Sequence, residues 1–386
     1  MIENGFTYLA TLLLMASTLV LVEKKSQHRL FSYLPAIVIL YFMVILASTF
    51  GLWEKNTAIT ETYKTLKSNL LPAMIFLMLL QADIREVFKL GKKMLFTFFL
   101  ASLSIALGFM GMFALLHQAF DAQAWKAFAA LSGSWMGGTA NMVAIQSALN
   151  LPDSAMGYTL LIDSIDYAIW VMILLALVPF AKQFNLWSKA DTSLIDEVGE
   201  RLSLQENKAP IDFSSLFFVL GSSLFVAVLS QYGASFLPTS TFLTSTTWVV
   251  LLATLCGIVF AMTPLAKLSG IAELANIMLY LIVALIASRA NFTELTQAPL
   301  YIVAGFIIIF IHSIIMVLFA KLFKLDLFSL GVASLANIGG IASAPILASA
   351  YSKALIPIGV LMAMLGYILG TFGGLMVGKV LETIAQ

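Results

Sequence analysis

The chain has 386 residues, of which 61% are hydrophobic and 11% charged, with a net charge of +1 and a mean hydropathy of +0.98. A soluble domain carries about 25% charged residues, so this composition excludes a water-soluble globular protein and reads as an all-α polytopic membrane protein. The balanced charge gives no reason to expect a nucleic-acid partner, and the single cysteine, Cys256, excludes an intramolecular disulfide.

A spanning helix needs about 20 mostly apolar residues. Residues Met1 to Asn4 form no basic n-region and no small-residue cleavage site follows, so the first apolar run, 5–22, is expected to be a retained helix. Spans follow at 33–53, 70–84 and 94–117, then a glycine-split segment at 124–150 and a span at 154–181. The stretch 182–212 is polar, rich in Asp, Glu, Lys and Ser, and reads as a cytoplasmic linker between two halves, 1–181 and 213–386. The second half has spans at 213–232, 246–262, 271–289 and 298–320, a glycine-split segment at 327–351, and a last span at 355–380.

The halves correspond in more than order. Gly137-Gly138 and Gly339-Gly340 stand 202 residues apart, and Asp83 and Asn291 end the third span of each half at an offset of 208. Matched units at a fixed offset mark an internal repeat. Lys and Arg concentrate on the cytoplasmic side of membrane proteins. With both split segments as re-entrant hairpins and the N-terminus outside, 15 basic residues fall inside and 6 outside; if every unit crosses, the split is 9 to 12. The first solution predicts ten crossings and both termini outside. The fold expected is therefore two inverted repeats of five transmembrane helices, each with one Gly-rich re-entrant hairpin. The compact loops point to a bacterial inner membrane.

Unwound backbone at membrane depth is kept where it lines a cavity, and paired breaks in two halves point to a transporter's binding site. The expected solute-binding set is Ser134, Gly137, Gly138, Thr139 and Asn141 in the first hairpin, and Asn337, Gly339, Gly340 and Ser343 in the second. Ser132 also lies near the first tip. The bland alternative is that the Gly-Gly pairs only let helices pack closely. Asp163 and Asp166, spaced i, i+3, share a helix face near the bilayer midplane, with Tyr167 one turn beyond Asp163. Buried acids are costly unless they hold a cation or share a proton, so both are expected to bind Na+ or H+; a structural pair is the rival reading. His312, midway along its span, fits either a solute or proton contact or a buried histidine satisfied by a neighbouring helix. Asp83 and Asn291 read as caps or interfacial polar ends, or as gating residues. The sequence carries no metal cluster beyond a Na+ site, no nucleophile triad and no phosphate loop, so no enzyme and no cofactor are expected.

Gly133-Ser-Trp-Met-Gly-Gly-Thr-Ala-Asn141, Asp163-Ser-Ile-Asp166-Tyr167 and Ala336-Asn-Ile-Gly-Gly-Ile-Ala-Ser-Ala-Pro345 resemble domain-of-unknown-function family 819 over essentially the whole chain. More distantly, the plan is similar to the sodium–glutamate and sodium–citrate (2-hydroxycarboxylate) symporters. That resemblance implies an elevator-type symporter working as a homodimer, moving a small organic anion with sodium. The paired acids, and the lack of an arginine in or beside the hairpins, also fit an amine-bearing solute such as an amino acid or short peptide. A cation/proton antiporter without organic substrate would use the same acids. A membrane sensor or scaffold is the remaining alternative.

Overall fold

The computed structural model describes residues 1–26, 31, 36–54, 56–191, 210–240, 243–290 and 298–386. Arg29, Lys55, Arg201, Lys208 and Asn291, used above in the charge count and the repeat, lie outside the described residues, as does most of the 182–212 linker. Among the described residues the secondary structure is helical, with a lone bridge between Ile2 and Trp53. The first half contains α1 (Gly5–Ser26), α2 (Ala36–Thr49), α3 (Thr57–Leu80), α4 (Gly91–Leu116), α5 (Ala124–Gly137), α6 (Thr139–Ala148), α7 (Met156–Leu177) and α8 (Ala181–Ser188). The second contains α9 (Phe213–Ala234), α10 (Ser245–Ala261), α11 (Ile271–Ala287), α12 (Ala298–Phe323), α13 (Leu327–Ile338), α14 (Ala344–Tyr351) and α15 (Ile356–Ala385). Among the described residues six helical stretches are long and apolar enough to cross a bilayer, and α2, α10 and α11 are apolar but shorter.

The third helix begins at Thr57, well before the span read from hydropathy at 70. Asn56 caps it, accepting from the Ile59 N–H at 3.0 Å. Its polar first turns find distant partners. Lys67 pairs with Asp153 at 3.1 Å, and Asn69 accepts from Gln231 at 3.1 Å. Pro72 sits inside this helix and cannot donate to the Ser68 carbonyl. Gln231 Nε2 fills that gap, donating to Ser68 O at 3.0 Å.

The helices sort into two packed groups. In the first, α3 packs against α9, α10 and α11, and α1 and α2 pack on each other and on α11. In the second, α4 pairs with α12, α5 with α15, and α13 with both α4 and α15, while α7 lies against α5 and α12. The first group thus contains α1, α2, α3, α9, α10 and α11. Gly257 explains how α10 comes so close to α3, because a Cβ there would lie 2.6 Å from Leu79 Cβ and 3.1 Å from the Phe76 carbonyl. In the second group a glycine seam joins α5 to α15. A Cβ on Gly370 would fall 2.7 Å from Gly137 Cα, and one on Gly374 2.8 Å from Gly133 Cα. Small residues let helices approach closely where lipid supplies no hydrophobic drive.

Candidate functional site

Each glycine-split segment is a pair of short helices joined at a break. The first break is Gly138, at φ +87 and ψ 169, a backbone region open essentially to glycine alone. Its N–H still reaches Ser134 O, at 2.6 Å, and α6 starts on the next residue. The second break spans Gly339 and Gly340, with Gly340 at φ +58. A short turn to Ala342 follows, and Pro345 opens α14, where its missing N–H costs nothing.

A cavity of about 230 Å³ lies where the breaks meet. Gly138, Thr139 and Ala140 line one side, and residues 338–342 the other. Asp163, Ser164 and Tyr167 of α7 and Tyr367 of α15 form its wall. The first helix group closes it with Ile37, Val38 and Met78 and with Asn276, Leu279 and Tyr280 of α11. Asp163 is half-buried at this wall. Its Oδ1 accepts from Ser134 Oγ at 3.0 Å and from Trp135 Nε1 at 3.1 Å. Its Oδ2 has no hydrogen-bond partner among the described residues. Of the cavity-lining residues described, Asp163 alone carries a formal charge.

Asp166, one turn on, leaves this cavity. It is fully buried, and neither carboxyl oxygen has a hydrogen-bond partner among the described residues. It packs against α12, where Gly305 makes the room: a Cβ at 305 would overlap Asp166 Oδ2. The i, i+3 spacing thus brings the acids to neighbouring but different surroundings.

The cavity gathers Ser134, Gly138, Thr139, Asp163, Tyr167, Gly339 and Gly340 from the residues singled out in the sequence. The others sit behind it. Gly137 faces the Gly366 carbonyl and Gly370 across the seam. Asn141 donates to Gly137 O at 2.6 Å and accepts from Thr371 at 2.5 Å. Asn337 donates to Ala333 O at 2.9 Å and accepts from Ser102 at 2.7 Å. Ser343 lies 3.5 Å from Leu335 O, and Ser132 donates to Ala129 O. Asp83 caps the short helix Ile84–Val87 and pairs with Arg85 at 2.7 Å.

His312 is held at both nitrogens. Ser104 gives its hydroxyl proton to Ala101 O, at 2.8 Å, so it accepts from Nδ1–H, at 2.7 Å. Ser334 accepts from Trp170 Nε1 at 2.9 Å and donates to Nε2 at 2.8 Å. The network assigns the Nδ1–H tautomer and links α4, α7, α12 and α13.

Sequence reasoning missed Tyr367, Tyr280 and Asn276. Tyr367 had a signal, because it stands 200 residues after Tyr167, close to the spacing of the glycine pairs. It also missed two polar clusters that fix the short helices. Asp153, just before α7, accepts from Lys67, from Tyr63 OH at 2.6 Å and from Gln146 Nε2 at 2.9 Å. Asp326 caps α13 through Ser329 N and Oγ, both at 2.7 Å, and pairs with Lys93 at 3.0 Å.

The chain belongs to the family described as protein of unknown function (DUF819), whose profile matches residues 10–384. It is similar to the uncharacterized membrane protein YjcL of Bacillus subtilis (strain 168), with 25% identity over 333 residues, covering 83% of this chain and 84% of that protein. Family, relative and apolar helices agree that this is an integral multi-pass membrane protein.

Proposed function

We propose that this protein is a secondary active transporter, which moves a small organic solute coupled to Na+ or H+ through the cavity at the two helix breaks. The observation that carries the reading is the open oxygen of Asp163 in a cavity built from both breaks and closed by the other helix group. The short helices support it. α5, α6, α13 and α14 have 14, 10, 12 and 8 residues, and at about 1.5 Å per residue none reaches the roughly 30 Å of a bilayer core. Each pair is therefore read as a re-entrant hairpin. Matched pairings support a repeat: α3 with α11 and α4 with α12 are like-numbered units of the two halves, and the charge count favours its inversion. The two helix groups would then be scaffold and carrier of an elevator, working as a homodimer. Asp163 and Asp166 would bind the coupling cation or proton, and coupling requires that ion and solute favour the same state.

The test is uptake into vesicles holding the reconstituted protein, across a solute panel with sodium or proton gradients. Asp163→Asn is expected to abolish uptake without loss of folded protein; Gly138→Leu, forced into a backbone region open essentially to glycine alone, is expected to lose uptake together with stability. Unchanged uptake in either variant would sink the site assignment. The unpartnered carboxyl of Asp166 favours a second reading, a cation/proton antiporter with no organic substrate. Charge movement with only salt and a pH gradient separates the two.

A further inference from the structure

We infer that the solute carries an ammonium group, held on the open oxygen of Asp163. This rests on the reading of the cavity as the solute site and adds the chemical class. Ser134 and Trp135 fix one oxygen of the carboxylate to α5, so the other is presented to the cavity in a set position. The same cavity is lined by three phenols, Tyr167, Tyr280 and Tyr367, and by the carboxamide of Asn276, all able to accept N–H donors. Phenol rings also attract cations.

Charge balance decides between a cationic and an anionic solute. No Lys, Arg or His side chain lines the cavity among the described residues. A carboxylate placed there would meet the charge of Asp163 with no formal countercharge, at a depth where unpaired charge is expensive. The N–H groups at the start of α6 offer an anion only a partial charge, about half a unit. An ammonium group supplies the missing positive charge and donates to the acceptors present. Volume argues against a bare inorganic ion as the sole occupant. A hard cation needs a close cage of six or so oxygens, whereas about 230 Å³ is several times the roughly 30 Å³ of one water. That is room for a solute of amino-acid size.

The experiment is thermal stability of the purified protein in nanodiscs, titrated with ethanolamine, glycinamide, alanine, acetate and succinate, with and without sodium. Bound ligand stabilises by mass action. Ethanolamine, glycinamide and alanine are expected to give saturable upward shifts, and acetate and succinate none. In Asp163→Asn the half-saturating amine concentration should rise about ten- to a hundredfold, the usual loss for a hydrogen bond to a charged group. Asn276→Leu narrows the cavity from the α11 side without touching the acid, and is expected to weaken amine binding even if Asp163→Asn fails to fold. Shifts with acetate or succinate, no shift with any amine, or amine shifts unchanged in both variants would overturn the inference. Vesicle uptake separates this failure from that of the transporter reading. A carboxylate-only solute carried in a Gly138-dependent manner defeats the ammonium class alone. Amine binding through Asp163 with no solute moved defeats transport alone.

Discussion

Asp163 and Asp166, three residues apart on α7, should answer alanine substitution with opposite signs of stability. At Asp166 the substitution removes two buried oxygens that have no hydrogen-bond partner. An unpartnered buried polar group costs about 1–3 kcal/mol. The void left by three heavy atoms, roughly 30 Å³, costs about 0.7 kcal/mol at ~24 cal/mol per Å³. Alanine's better helix propensity returns about 0.5 kcal/mol. Asp166→Ala is therefore expected to stabilise the fold by about 1–3 kcal/mol. Asp163→Ala leaves Ser134 Oγ and Trp135 Nε1 without their acceptor, a loss of about 1–3 kcal/mol, which the cavity's access to water reduces. Denaturant or thermal unfolding in one detergent, wild type against both variants, checks the pair. The midpoint should rise for Asp166→Ala and fall for Asp163→Ala, by a few degrees each. If Asp166→Ala destabilises as much as Asp163→Ala, the carboxyl has a partner in the folded protein and the reasoning fails. Under the transporter reading both variants lose coupled uptake, so Asp166 would be a group whose cost in stability is offset by its use.

Gly370→Ala pushes a Cβ to 2.7 Å from Gly137 Cα and should destabilise by about 1–3 kcal/mol; Gly373→Ala meets only the flexible end of Met136, 3.1 Å away, and should be tolerated, as melting of the two variants will tell. Lys67→Met leaves Asp153 with two of its three side-chain donors and should cost about 1 kcal/mol, while Lys67→Met with Asp153→Asn should cost less than the sum of the singles in a double-mutant cycle. Asp212 caps α9, accepting from Ser214 Oγ and from Ser215 N at 3.1 Å, and the Ser214 and Ser215 hydrogen bonds hold its carboxyl below the usual range. A depressed value means that the cap's contribution is present above the ordinary carboxylate value, near pH 4, and is lost as pH falls through the depressed one. Amide exchange at Ser214 and Ser215, corrected for its intrinsic pH dependence, should therefore keep its protection at neutral pH and lose it only in strong acid; earlier loss would count against the cap.

The membrane class and the helix breaks were legible because both depend on local chemistry. Composition excludes a soluble core, and a backbone at φ +87 demands the glycine found at 138. What was hidden depends on partners far along the chain. The polar start of α3 fell outside the expected span because Lys67 meets Asp153 86 residues away, and Gln231 repairs the Pro72 gap from 163 residues away. The spacing of Asp163 and Asp166 placed both on one face, but a turn of helix meets more than one neighbour. α5 takes the first acid and α12 the second. Asn141 and Asn337 stand beside the breaks, where a polar side chain invites assignment to a solute. In the structure the Asn141 amide serves the Gly137 carbonyl across the break and the Asn337 amide serves the Ala333 carbonyl within α13, and sequence alone does not separate the two uses.

The two halves also show why chemistry gathers on one side of the cavity. Two hundred residues after Tyr167, Asp163 and Asp166 stand Tyr367, Ala363 and Gly366. Both tyrosines line the cavity. At Gly366 α15 runs so close to both broken segments that a Cβ would lie 3.1 Å from the Met136 and Ala336 carbonyls alike. An acid there has no space, and two carbonyl oxygens would face it. α7 has the opposite arrangement, because Gly305 on the facing helix clears room for a carboxyl. α15 therefore packs tightly on both breaks, whereas α7 carries the two acids. An acid at 366 would have to push α15 away from the Met136 and Ala336 carbonyls, and so strain the glycine seam beside it.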